Sequence, residues 1–108
     1  MIIGIGTDIA DVDRIRRLYE KAGETFAEHM LTESERKLLA ERTGKAEFLA
    51  GRWAAKEALS KALGCGISGE YLFSEVEILP DEKGAPRVAG LCGTAKETAD
   101  RLGVKRIH

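Results

Sequence analysis

The chain has 108 residues, 44% of them hydrophobic and 32% charged, which is enough sequence for one hydrophobic core and not for two. Eighteen Asp and Glu stand against seventeen Lys and Arg, a net charge of −1. That balance excludes a global electrostatic case for nucleic acid or membrane binding, so any charged partner must be met by a local patch. No run of about 18 apolar residues offers a membrane span.

The N-terminus, MIIGIGTDI, opens in strand-like sequence and lacks the basic segment and cleavage site of a signal peptide, so a cytoplasmic location is expected. Residues 2 to 9 predict a strand. Ile2, Ile3 and Ile5 are β-branched, and Gly4 and Gly6 leave room for close backbone approach. Asp8 stands at its end. A helix is expected from about Asp11 to Lys21, with Ile15, Leu18 and Ala22 at helical spacing and Gly23 as the stop. Asp11 and Asp13 open this helix, where acids complement the macrodipole. Thr32 and Glu35 have the spacing of a capping box, which starts a second helix over 33 to 42. His29 precedes it as a surface or boundary residue. A long helix follows from about Glu47 to Leu63, with Gly64 as its stop.

The second half reads as strands and one more helix. Residues 72 to 79 predict a strand with Val76 and Ile78 on one face and Glu75 and Glu77 on the other. Residues 80 to 86 form a turn segment, and Arg87 to Leu91 return as the hairpin partner. Residues 94 to 102 predict a helix stopped by Gly103, and 104 to 107 begin a strand. Cys65 and Cys92 share no metal-type spacing, so both read as small reduced residues. The order of elements implies an α+β fold, a compact single domain with a long central helix packed on a small, mostly antiparallel sheet.

The long helix carries the chemistry. At about 100° per residue from Phe48, a core stripe of Gly51, Ala55, Ala58, Leu59 and Ala62 is expected. Arg52 and Lys56 share one flank. Glu57 and Lys61 share the far side, among Ala50, Trp53 and Ala54, with Trp53 expected to pack. As a solvated pair, Glu57 and Lys61 would add only about 0.2–0.5 kcal/mol. Three cations and one carboxylate among small residues, followed by the Gly-rich LGCGISG, suit a polyphosphate held with a divalent metal. Cations neutralise phosphate oxygens, a carboxylate holds Mg²⁺, and glycines expose backbone N–H groups. Asp8, at the end of an apolar strand, is the second candidate metal ligand beside Glu57. Two other readings fit the same charges: a binding module for nucleotide or coenzyme A without transfer, and a structural subunit whose helix charges pair at an interface.

The segments IGIGTDI, FLAGRWAAKEALSKALGCGI and KGAPRV, in this order, resemble the holo-acyl-carrier-protein synthase family, the small bacterial class of 4'-phosphopantetheinyl transferases. The specific parts are Gly6-Thr7-Asp8 and W-x-x-K-E-A-x-x-K, here Trp53 to Lys61. The resemblance runs along essentially the whole chain, here residues 1–108, as a phosphopantetheinyl transferase domain. It implies transfer of the phosphopantetheine arm of coenzyme A to a serine of apo acyl carrier protein, in fatty acid biosynthesis, with release of adenosine 3',5'-bisphosphate. It implies Mg²⁺, a homotrimer with sites between subunits, and Asp8 and Glu57 as metal ligands. Lys61 would contact the phosphates and protonate the departing one, and Glu57 is the candidate base for the serine. Arg52, Lys56, Gly64, Gly66 and Pro86 would contact coenzyme A. Arg14, Arg17 and Lys21, at i, i+3 and i+7, would dock the acidic carrier protein. It also implies one more strand beyond His108, absent from this sequence.

Overall fold

The computed structural model describes residues 11–64 and 73–107. The strand expected over residues 2 to 9, with Asp8 on it, lies outside the described residues, and so do Cys65 and Gly66.

Helix α1 spans Val12–Ala22 and buries Ile15. Asp11 caps it, its carboxylate accepting from the backbone N–H groups of Asp13 and Arg14. Gly23, at φ 55°, ends α1 and starts α2, Glu24–Met30. This short helix is not anticipated by the sequence reading, because its seven residues hold a single turn's worth of apolar spacing. It buries Ala27 and Met30.

The capping box is present: Thr32 accepts from Glu35 N–H and the Glu35 carboxylate accepts from Thr32 N–H, opening α3, Glu33–Ala40. Lys45 closes the other end of α3 by donating to the carbonyls of Leu39 and Arg42. Helix α4, Lys45–Ala62, is the long one, and Gly64 follows it at φ 76°.

The α4 core stripe differs from the sequence expectation. Gly51 is exposed, and Ala55, Ala58 and Ala62 are only partly buried. Leu59 is buried as expected, and the rest of the buried face is Ala46, Leu49, Ala50, Lys56 and Ser60. The rotation follows from two polar residues: Lys56 and Ser60 find partners inside, while the small apolar residues opposite them leave little area to hide.

A 3₁₀ turn, Phe73–Glu75, leads into β1, Val76–Pro80, which pairs antiparallel with β2, Pro86–Leu91. The register shifts between Glu77 and Ile78, so Ala89 is the extra residue of a bulge. Asp81 closes the turn, accepting from the N–H groups of Lys83 and Ala85, and these two bonds hold its carboxyl below the usual range. Helix α5 spans Gly93–Arg101. Residues 104–107, expected as a strand, form none with the described residues. Val104 N–H bonds to Ala99 as the chain leaves α5, and Val104 and Ile107 pack against the core.

Together these elements make the α+β fold. One core joins Ile15 of α1, Leu31, Leu39 of α3, Leu49 and Leu59 of α4, Val76 and Ile78 of β1 and Ala95 of α5. Trp53 is packing, as expected: it stacks on Phe26 at 6.4 Å and meets Phe73 edge-on at 5.1 Å.

Gly93 is required where α5 starts. Its φ is 57°, and a Cβ there would run into the Glu75 carboxylate, which itself accepts from Thr94 Oγ1 and Ala95 N–H. Gly93→Ala is expected to cost about 1–3 kcal/mol from the backbone conformation alone. A thermal melt with an unchanged midpoint would contradict this.

Candidate functional site

Helix α4 sends its charges in two directions. The first pair, Arg52 and Lys56, goes inward. Lys56 is 0% exposed. Its Nζ donates to Met30 O at 2.7 Å, to Glu35 Oε1 at 2.7 Å and to Phe73 O at 2.8 Å. An ammonium has three protons, and these three acceptors come from the end of α2, from α3 and from the 3₁₀ turn. Lys56 is therefore committed to the fold. The expectation that it contacts coenzyme A is corrected: no proton is left to aim at a phosphate, and the group has no surface.

The acid that makes this possible is Glu35, also 0% exposed. Its Oε1 accepts from Lys56 and from Thr32 N–H, and its Oε2 accepts from Ile78 N–H at 3.2 Å. Arg52 Nε lies 3.4 Å from the same Oε2. One carboxylate thus ties α3, α4 and β1 together. Thr32 adds a link by donating its hydroxyl to Glu77 at 2.7 Å. Burial pulls the Lys56 ammonium below the usual lysine range, and the Glu35 charge pulls it part of the way back. Burial also lowers Arg52, with Glu35 opposing and the Arg42 charge adding to the effect.

Glu35 is legible in the sequence only as a cap. Its second role follows from spacing on α4: two cations four residues apart repel unless a carboxylate stands between them. No acid lies four residues from either on that flank, so the acid must come from another element.

Arg52 is the rim of this network. Its side chain is 12% exposed, and its guanidinium carbon sits 4.5 Å from the centre of the Phe48 ring.

The second pair, Glu57 and Lys61, lies one turn apart on a different side of α4. Lys61 is exposed. Glu57 is partly buried, and its Oε1 atom is buried. Gly64 continues this end of the helix and is exposed. Its positive φ of 76° is the left-handed turn that lets the chain leave α4. Pro86 stands apart from these residues, exposed at the start of β2. Asp8 and Gly66, lying outside the described residues, have no place in this geometry.

Glu57 fits a metal ligand in chemical type. It offers a carboxylate oxygen held out of bulk water, the hard donor that Mg²⁺ takes. Among the described residues, no three His, Cys, Asp or Glu side chains gather into a metal cage. Mg²⁺ bound by one or two carboxylates, substrate phosphates and water needs none.

Helix α1 packs against α4 and presents Arg14, Arg17 and Lys21 to solvent. Arg16 takes Asp13 at 2.6 Å and reaches Glu47 of α4 at 3.2 Å. Among the described residues, Arg14, Arg17 and Lys21 have no ion pair, so this helix face carries three uncompensated positive charges. His29, in the last turn of α2, is exposed. No described helix is long and apolar enough to cross a membrane.

Comparisons with known proteins place the chain in a family. A family model described as the 4'-phosphopantetheinyl transferase superfamily matches residues 4–106. A holo-[acyl-carrier-protein] synthase of Vibrio atlanticus is 45% identical over 107 residues, covering 99% of this chain and 84% of that protein. The crystal structure of holo-[acyl-carrier-protein] synthase from Neisseria meningitidis superposes with a TM-score of 0.88 at 38% identity, over 98% of this chain and 84% of the other. The Bacillus anthracis holo-(acyl-carrier-protein) synthase, in complex with CoA (3',5'-ADP), gives a TM-score of 0.76 at 42% identity, over 85% and 78% of the two chains. With a family match along nearly its full length and a relative 45% identical over 99% of it, the chain belongs to the 4'-phosphopantetheinyl transferase superfamily.

Proposed function

We propose that this chain transfers the 4'-phosphopantetheine group of coenzyme A to a serine of apo acyl carrier protein, releasing adenosine 3',5'-bisphosphate. The observation that carries the reading is the division of charge on α4. Arg52 and Lys56 turn to Glu35 inside, while Glu57 and Lys61 are directed elsewhere, one turn apart, beside the left-handed turn at Gly64.

In the transfer, the serine oxygen bonds to the phosphorus on the pantetheine side, and the bridging P–O bond of the pyrophosphate breaks. The serine proton passes to the Glu57 carboxylate. The bridging oxygen leaves on the adenosine bisphosphate, and Lys61 supplies its proton. Lys61 also offsets charge building on the phosphoryl oxygens. Glu57, with Asp8 as partner, would hold Mg²⁺, which supplies further neutralisation of the pyrophosphate when bound. Arg52, Gly64, Gly66 and Pro86 remain the proposed contacts to coenzyme A. The sequence resemblance supports a homotrimer with sites between subunits, a role in fatty acid biosynthesis and a cytoplasmic setting.

The test is product release. With apo acyl carrier protein, coenzyme A and Mg²⁺, adenosine 3',5'-bisphosphate should accumulate only when the carrier is present. Tight binding of coenzyme A with no carrier-dependent release would replace this reading with a binding module.

The uncompensated face of α1 is proposed to dock the carrier. Arg14→Glu is expected to raise the KM for carrier protein about three- to tenfold at low salt and much less at high salt, with kcat little changed. Carrier kinetics unaffected at low salt would rule the docking face out.

A further inference from the structure

The inward charge network has a consequence for the other face of α4. We infer that Lys56 and Glu35 are positioning residues for the transfer: they set the rotation of α4, and so the direction in which Glu57 and Lys61 point. This rests on the function proposed above and goes beyond it, because neither residue touches substrate.

Leu49, Trp53 and Leu59 hold α4 against the core by apolar contact, and such contacts tolerate small rotations better than hydrogen bonds do. Directional bonds add the angular constraint. The Lys56 ammonium bonds to three acceptors on three separate elements, all within 2.7–2.8 Å. Turning α4 would stretch all three bonds inside a site that water does not reach. Glu35 is itself held from two further directions, by Thr32 N–H at 2.9 Å and Ile78 N–H at 3.2 Å. Glu57 follows Lys56 directly, so its angular position is that of Lys56 advanced by about 100°. Lys61 lies one turn beyond Glu57. Fixing Lys56 therefore fixes both.

Tolerance in such a site is small, since a displacement of about 1 Å far from the reacting atoms can cost about a hundredfold in rate. The network also crosses to β1 through Ile78, so the face is referenced to the sheet as well as to the neighbouring helices.

The experiment compares wild type with Lys56→Met and with the double variant Glu35→Gln/Lys56→Met. The double variant removes both of these buried charges while the amide carbonyl introduced at position 35 still accepts from one of the two backbone N–H groups, and it remains informative where the single variant does not fold. Three quantities are read on protein shown to be folded by circular dichroism: kcat, the KM for coenzyme A, and the affinity for Mn²⁺ as a spectroscopic probe. A positioning role predicts kcat down at least about tenfold, KM for coenzyme A within about twofold, and weaker Mn²⁺ binding. A folded double variant with wild-type kcat and Mn²⁺ affinity would overturn the inference and leave the network purely structural. A rise in KM at unchanged kcat would overturn it as well, in favour of direct substrate contact. Absence of transfer by the wild type would instead count against the proposed function, and the two failures are distinct.

Discussion

Lys56→Met is expected to lower the unfolding free energy by about 3–5 kcal/mol, read as a fall in the urea midpoint. The reason is what remains behind. Glu35, Met30 O and Phe73 O lose a common donor in a site with no exposure. Arg52 Nε and two backbone N–H groups still face Glu35, which places the loss toward the lower end of that range. A domain of this size is stable by about 5–15 kcal/mol, so the variant should be visibly destabilised at room temperature. Glu35→Gln/Lys56→Met should recover only part of the loss: no unpaired acid is left buried, but Met30 O and Phe73 O still lack their donor and Arg52 loses its carboxylate. A single variant as stable as wild type would mean that Lys56 is not buried as described.

The second large effect is on catalysis. Glu57→Gln keeps the shape of the side chain and removes its charge. It is expected to reduce transfer by at least about a hundredfold while leaving the urea midpoint close to wild type. Adding Mg²⁺ in excess should not restore the rate. Adjacent residues on one helix should therefore fail in different ways, Lys56 in stability and positioning, Glu57 in chemistry. A Glu57→Gln protein that retains turnover would remove the carboxylate from the mechanism. One that loses stability in the same measure as turnover would point to an interfacial pair.

What can be read from the sequence is local. The capping box at Thr32 and Glu35, the hairpin around residues 80–86 and the stops at Gly23, Gly64 and Gly103 all depend on neighbours a few residues apart, and all are present. The central segment from Trp53 to Lys61 points to the family because its charged residues sit at fixed helical spacing. What escapes the sequence is long-range. Helix α2 is too short to show a period. The segment at 104–107 has strand composition, yet among the described residues it meets no strand to pair with. The largest misreading concerns α4: counting apolar residues places Gly51 and Ala55 inside and Lys56 at a ligand. Periodicity assigns a charge to the surface by default. It cannot know that Glu35, 21 residues away, waits beneath the helix.

The same default explains what the sequence shows of the site. Lys61 is legible because it behaves as charges usually do, at the surface, while Glu57 beside it is partly buried. Arg52 and Lys56 have the same spacing, and only tertiary contacts separate the two pairs.

The measurement that tests the account most directly is the intact mass of apo acyl carrier protein after incubation with this chain, coenzyme A and Mg²⁺. The account predicts a gain of one phosphopantetheine per carrier, lost with EDTA and lost in Glu57→Gln. A carrier whose mass stays unchanged with folded wild-type protein would contradict it.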